Sequence, residues 1–345
     1  MPSCGSQIIL CEVPIRFDNY VGCSHGCKYC FVTRKADISQ VKLGESTQAL
    51  REFIAGKRTT DTQWCDWNIP LHWGGMSDPF QPAELQYRRS LDCLRIFAET
   101  QYPLIVSTKG TSILSRPEYL ELLRKCKAVV QVSMVSPRFD VLEPGAPTYH
   151  ERLASLEKIA AASLRLIVRI QPYVREVKSD LLKYFQQYRN AGVYGVTIEG
   201  IKYFHKVRGM VKAGGDYVYP CSGLKEDFCQ LRDEAHKNNL KFFCAENRLR
   251  KMGDDMCCCG ISGLDGFRGN SANVVRFIHD RRNFKYTSHM TTCSSSSSCF
   301  KAICQNSVFS GLLPDKSFAD IMELFLHDRK TVTAFMEETA AKQKN

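Results

Sequence analysis

The chain has 345 residues, enough for one large domain or two small ones and for a sizeable buried core. Its 47 Lys and Arg exceed its 36 Asp and Glu by 11, which suits an anionic partner such as nucleic acid but equally plain solubility, and no compact Lys/Arg run narrows the choice. No apolar run is long enough to span a membrane, and residues 1–10 lack the basic start and apolar stretch of a signal peptide, so the 17 cysteines are expected to be metal ligands and buried thiols in a reducing, cytoplasmic compartment rather than a disulfide framework.

In chain order, residues 7–13 read as a first strand and residues 14–31 as a loop. Residues 46–56 read as a helix with Ser46 as its N-cap and Gly56 as its stop. Strand-length apolar runs then alternate with helical periods. The strands are residues 69–74, 104–109, 128–134, 166–170, 193–199 and 240–244; the helices are 83–100, 117–125, 147–163, 180–190 and 226–238. Repeated β-α units predict a parallel sheet with right-handed crossovers. The expected fold is α/β, a partial (β/α) barrel of about six parallel strands over residues 1–245.

Strand parity places chemistry at one end of that barrel. Ser107 and Lys109, Gln131 and Ser133, Arg169, and Thr197 and Glu199 share one parity on their strands and crowd toward the C-terminal ends. Barrel enzymes place their active sites there.

Past residue 245 the pattern changes to a cysteine-rich extension, residues 246–345, expected to close the barrel mouth. Cys257, Cys258 and Cys259 are consecutive, and residues 260–273 are rich in Gly, Ser and Asn. Residues 294–298 are all serine, flanked by Cys293 and Cys299. Residues 317–326 and 331–341 read as helices. Cys244, Cys258, Cys299 and Cys304 are candidates for an auxiliary iron–sulfur cluster or a zinc ion; simple buried thiols are the alternative.

The stretch Gly22-Cys23-Ser24-His25-Gly26-Cys27-Lys28-Tyr29-Cys30-Phe31 is the most specific in the chain. Three thiols in a C-x3-C-x2-C spacing suit an iron–sulfur cluster with one iron left open. A structural zinc site wants four ligands, usually as two pairs. His25, within the loop, reads as a hydrogen-bonding residue rather than a ligand.

This loop resembles the signature of the radical S-adenosylmethionine (SAM) enzymes, including the aromatic Tyr29 before the third cysteine. The continuation resembles the branch that includes spore photoproduct lyase and the DNA repair photolyase-like proteins. That narrower resemblance rests on Gly75-Met76-Ser77-Asp78-Pro79-Phe80 with Glu84, on Ser107-Thr108-Lys109, on Val132-Ser133-Met134, and on Glu143-Pro144-Gly145-Ala146-Pro147 with Glu151-Arg152-Leu153. It spans roughly residues 15–200.

The resemblance implies a [4Fe–4S] cluster on Cys23, Cys27 and Cys30, with SAM chelating the fourth iron. An electron from the cluster, supplied by a flavodoxin- or ferredoxin-like donor, would cleave SAM to a 5′-deoxyadenosyl radical that abstracts hydrogen from substrate. Tyr29, Gly74, Gly75, Ser107, Lys109, Ser133, Arg169 and Glu199 are the implied SAM-site residues. The implied activity is that of a lyase or modifying enzyme on a large substrate, nucleic acid first, as in DNA repair. Peptide or protein modification is the alternative, and a non-catalytic metal- and nucleic-acid-binding protein is the alternative of another class. The interleaved segments 202–206 and 281–286, basic and aromatic by turns, carry the nucleic-acid expectation. Spore photoproduct lyase also needs a thiol hydrogen donor, and no motif here selects one.

Overall fold

The computed structural model describes residues 1–4, 11–34, 36–59, 62, 69–213 and 216–269. The chain opens with strands β1 (Ser3–Cys4), β2 (Ile15–Phe17), β3 (Tyr20–Val21) and β4 (Lys42–Leu43), then helix α1 (Thr47–Ile54). Next come β5 (Leu71–Trp73), α2 (Glu84–Tyr87), α3 (Arg89–Thr100), β6 (Leu104–Thr108), α4 (Thr111–Leu114), α5 (Pro117–Arg124) and β7 (Ala128–Ser133). After these lie α6 (Tyr149–Ala160), β8 (Arg165–Tyr173), α7 (Lys178–Asn190), β9 (Gly195–Gly200), β10 (Lys202–Tyr203), β11 (Val211–Ala213), β12 (Asp216–Val218), α8 (Cys221–Lys237) and β13 (Lys241–Cys244).

The main sheet runs β1-β2-β5-β6-β7-β8-β9-β13. Its edge strand β1 is antiparallel. The other seven strands are all parallel, one more than the pattern predicted. This is the α/β architecture of a partial (β/α) barrel. Helical crossovers cover the outer face, so outward residues such as Val106, Val130, Val168 and Ile198 share one core with Leu94, Leu120, Leu156 and Leu181 of the helices. The inward face is divided along its length. Near the strand starts, Ile105, Val129, Ile167 and Phe243 form a separate apolar cluster with Val13. Toward the strand ends the same parity becomes polar: Ser107, Gln131, Ser133, Arg169 and Glu199 all line one cavity.

The described part of the extension packs into this interior. Cys257, Cys259 and Ile261 join the apolar cluster at the strand starts. Arg165 Nη1 donates to the carbonyls of Gly260 (2.6 Å) and Ser262 (2.8 Å). Glycine suits position 260, where φ is +69° and a Cβ would stand 2.2 Å from Ile167 Cδ1, so any larger residue must strain the backbone and push that side chain aside. The expected serine tract, the helices at 317–326 and 331–341, and the mouth-closing role of the extension beyond residue 269 lie outside the described residues.

Three expectations need correction. The first parallel strand is β2, at Ile15–Phe17, inside what reads as loop; Cys11–Val13 carry no strand, and residues 5–10 are outside the described set. The helix expected over 83–100 is two helices, because Arg88 takes φ +50° between them. The Glu84 side chain, from the first residue of the first helix, caps the second, accepting from Ser90 N (2.8 Å) and Leu91 N (3.0 Å). Two small sheets, β3-β4 and β10-β12-β11, escaped notice because strands of two or three residues show no measurable alternation.

The helix over 147–163 narrows to α6, which begins in a reciprocal capping box: Thr148 Oγ1 accepts from Glu151 N, and Glu151 accepts from Thr148 N. Thr148→Ala should therefore cost about 1 kcal/mol, read as a lower urea midpoint at unchanged m. Among the described residues no helix is long and apolar enough to cross a membrane.

Candidate functional site

The cysteine loop is latched from two sides. On one side Gln81 accepts from Ser24 N (2.8 Å) and donates to the Gly22 carbonyl (3.1 Å). On the other, Gly145 N donates to His25 O and Lys28 N donates to Leu142 O, both at 2.9 Å. Tyr29 donates its hydroxyl to Glu143. Arg152, almost fully buried, binds the other Glu143 oxygen and donates to Ser133 O at 2.7 Å. Lys109 stands 3.8 Å from Glu143 and over the Tyr29 ring. Glu143 and Gly145, known to the sequence reading only through a resemblance, are thus the anchors of the loop.

Cys23, Cys27 and Cys30 face a cavity of about 570 Å³ together with the polar strand ends. Burial pushes the Cys23 thiol up to about 12 and Cys27 up to about 11, so both are protonated in the bare loop and metal loading must release protons. Among the described residues no three His, Cys, Asp or Glu side chains are gathered closely enough to hold one metal ion. A cubane spreads its thiolates over separate irons, and the three-thiol loop fits it.

His25 is buried, with Nδ1 3.4 Å from Asp78 Oδ2. Burial outweighs the pull of Asp78 and lowers its pKa, so the ring is neutral. Asp78 also accepts from Lys109 N (2.6 Å), Thr108 Oγ1 (2.7 Å) and Phe80 N (2.9 Å). It ties the cysteine loop to the end of β6.

Gly74 has φ +89°, and a Cβ there would meet Ser107 O at 2.2 Å. The following turn is held by Asp18, which accepts from Met76 N (3.0 Å) and Ser77 N (3.1 Å). Burial raises the Asp18 pKa to about 7 against those two bonds. Gly75 packs on Arg16, which also lines the cavity.

A polar ladder crosses the cavity. Ser107 Oγ donates to Gln131 Oε1 (3.1 Å) and accepts from Arg169 Nη1 (3.2 Å). The serine has a single proton, so His72 Nε2, 2.8 Å away, must donate to it. Arg169 binds Gln171, Gln171 binds Glu199, and Glu199 binds Lys202. Burial alone would raise Glu199; Lys202 outweighs it and holds the carboxyl below its ordinary value.

Burial, then Arg169 and Arg16, push His72 down to about 3. A depressed base means that only the unfolded chain takes up this proton between about pH 6.5 and 3. Stability from His72 is therefore full above pH 6.5 and lost as pH falls. His72→Gln should flatten that loss, by about 1.2 kcal/mol between pH 6 and pH 5 relative to the parent, measured in paired urea titrations.

All eight expected SAM-site residues (Tyr29, Gly74, Gly75, Ser107, Lys109, Ser133, Arg169 and Glu199) line this cavity. Cys258 lines it too. Cys244, a candidate auxiliary ligand, does not: it is fully buried in the core on the helix side of the sheet. Parity decides this, since its neighbour Phe243 points inward. Cys299 and Cys304 lie outside the described residues. The sequence reading missed Arg16, Asp18, His72, Gln171 and Arg250. His72 and Gln171 share strand parity with the polar set and were within reach; Arg16, Asp18 and Arg250 enter the site only through the fold.

No family model matches the chain. It is 28% identical over 211 residues to the uncharacterized protein Rv2578c of Mycobacterium tuberculosis and to the uncharacterized protein Mb2609c of Mycobacterium bovis. In each case 57% of this chain and 62% of the relative are covered, so the match spans less than two thirds of those relatives. Among solved structures it is similar to Streptococcus suis SuiB bound to the precursor peptide SuiA, with TM-score 0.49 and 11% identity over 69% of this chain and 50% of that one. It is also similar to anSMEcpe with bound AdoMet, with TM-score 0.48 and 12% identity over 95% and 97%.

Proposed function

We propose that the chain is a radical SAM enzyme, with a [4Fe–4S] cluster on Cys23, Cys27 and Cys30 and SAM in the cavity beside it. One observation carries this: a three-thiol loop, latched from both sides, opens onto the polar strand ends of a parallel barrel in one cavity. Bound there, the two groups supply reductive SAM cleavage and hydrogen abstraction from a substrate. The chain's own residues do the rest. Gly74 and Gly75 let backbone approach a ligand closely. Arg169 and Arg16 offer guanidinium groups suited to a carboxylate. The ladder from His72 to Lys202 fixes the rotamers of the cavity wall. The apolar floor of Ile105, Val129, Ile167 and Phe243 closes the site to water from below.

For the substrate we favour a peptide segment over nucleic acid. Lys202 is paired with Glu199 and Lys109 faces Glu143, so neither is left for a phosphate backbone. Phe204, 41% exposed, lines the cavity beside the sheet β10-β12-β11, whose edge suits an added extended chain. The basic segment 281–286 lies outside the described residues.

Anaerobic reconstitution tests the enzyme reading. A brown protein with about four irons per chain should form 5′-deoxyadenosine from SAM under strong reductant, and Cys27→Ala should lose colour and product together. A colourless protein, or a coloured one that never cleaves SAM, would end it. A steep salt dependence of RNA or DNA binding would return the substrate reading to nucleic acid.

A further inference from the structure

Two guanidinium groups stand on the cavity wall, and the described chain gives neither of them a carboxylate. Arg16 of β2 and Arg169 of β8 are half-buried and both line the cavity. No ion pair among the described residues includes either one. Arg169 is tied to neutral partners, Gln171 at Nε and Ser107 and Gln131 at Nη1. Arg16 is held more loosely. Its stem packs on Gly75, and Nη1 reaches the Met76 sulfur, a weak acceptor 3.5 Å away. Asp18 and Glu199 feel these two charges, but Asp18 turns to Met76 N and Ser77 N and Glu199 to Gln171 and Lys202.

A neutral imidazole sits between the two cations. His72 is the register partner of Arg16 and bonds Ser107 Oγ, which accepts from Arg169. The strand order β2-β5-β6-β7-β8 brings Arg16 to His72 from one side and Arg169 from the other. After burial, these two charges are what keep His72 from taking a proton. A positive field without a counter-charge in a half-buried wall is a place for anions.

SAM brings one carboxylate, and the wall holds two guanidinium forks. We propose that Arg169 is the fork for the cofactor and that Arg16 recognises a second carboxylate, carried by the substrate. The inference rests on the reading of the cavity as a SAM site with a peptide substrate, and it narrows that substrate. The peptide presents an Asp or Glu side chain, or its own C-terminus, to the Arg16–Gly75 edge of the cavity. Rigidity assigns the two roles. Arg169 is locked by three hydrogen bonds before any ligand arrives, which suits a cofactor bound in every turnover. Arg16, resting on a glycine and a thioether, can turn its fork to a side chain that arrives later. Charge selects the ligand. His72 stays neutral, so this edge offers one positive charge in a planar fork. That matches a carboxylate and falls short of a phosphate monoester dianion.

The test titrates the reconstituted full chain, saturated with SAM and kept free of air, with N-acetylglutamate amide and follows the heat released. The uncharged probe N-acetylglutamine amide should bind at least about tenfold more weakly, the loss of one charge-assisted fork. Arg16→Gln should weaken the glutamate probe more than it weakens SAM, and Arg169→Gln should do the reverse. A glutamate probe that binds the SAM-free chain alone and is displaced by SAM would overturn the proposal, because both guanidiniums would then serve one anion. Equal affinity for the glutamate and glutamine probes would overturn it as well. So would tighter binding of a dinucleotide phosphodiester, which would turn the same edge to nucleic acid. A chain that binds no SAM yet holds the glutamate probe through Arg16 would end the SAM reading and keep the carboxylate fork. The titrations of the unmutated chain need no variant to fold.

Discussion

Glu84→Gln is expected to destabilise the chain by about 2–4 kcal/mol, without touching any residue of the cavity. The Glu84 side chain is fully buried. Oε2 accepts from Tyr20 Oη (2.5 Å) and Ser90 N (2.8 Å); Oε1 accepts from Tyr119 Oη (2.7 Å) and Leu91 N (3.0 Å). Four donors meet one carboxylate, which is how a buried charge is kept without a cation. A glutamine keeps one oxygen. Whichever way it turns, its NH2 faces one tyrosine hydroxyl and one backbone N–H. The hydroxyl can rotate and accept; the backbone N–H cannot, and a buried orphan donor costs about 1–3 kcal/mol. The remaining bonds also lose their charge assistance. Glu84→Ala strands all four donors and should cost about 4–5 kcal/mol, whereas Tyr119→Phe removes one donor and should cost only about 1 kcal/mol. Urea midpoints at constant m give all three. A Glu84→Gln variant within 0.5 kcal/mol of the parent, a margin usual for uninvolved surface sites, would show that these four bonds do not stabilise the fold.

The parts legible in the sequence were those encoded locally. The C-x3-C-x2-C spacing, the β-α alternation and the shared parity of Ser107, Gln131, Arg169 and Glu199 each need only a short window, and the structure brings them to one cavity. Glu84, Asp78, Glu143 and Gly145 came only through a resemblance, and their reasons are non-local: Tyr29 lies 114 residues from Glu143, and Asp18 lies 58 from Met76. Arg250 gave no signal, because its partners Asn247 and Cys258 matter only once the segment after β13 folds into the barrel. Cys244 is separated from the other candidate ligands by strand parity alone, since its neighbour Phe243 points inward. Of the three adjacent cysteines, Cys257 and Cys259 belong to the apolar cluster, with Cys258 packed against it, and Cys258 and Cys259 also line the cavity.

Gly145→Ala should remove the cluster while leaving the barrel folded. The reason is space rather than backbone conformation. A Cβ on Gly145 would stand 2.1 Å from Ser24 O and 3.0 Å from His25 Cα, both backbone atoms of the cysteine loop. Neither can swing away as a side chain would. The Gly145 N–H bond to His25 O must also break when the two segments part, and Lys28 N would be drawn from Leu142 O with them. Cys23 and Cys27 flank the displaced residues, so the spacing of two of the three thiols changes. Metal sites tolerate such shifts poorly, since their ligand distances hold within about 0.2 Å. Iron and sulfide after anaerobic reconstitution should fall from about four per chain to a small fraction, and product formation with them. Thermal melting of the metal-free protein should move only modestly, because the helix and sheet core lies elsewhere. Gly263→Ala is the matched control. At φ +75° it is strained, but its Cβ would meet nothing within 4 Å. It should cost about 1 kcal/mol of stability and keep its iron. Equal iron in both variants would show that the loop is not set by this contact; equal loss would show that backbone strain anywhere in the chain suffices. Only loss at 145 with retention at 263 fits a loop clamped between Gln81 and Gly145, and it ties the three thiols of the sequence motif to a second segment more than a hundred residues away.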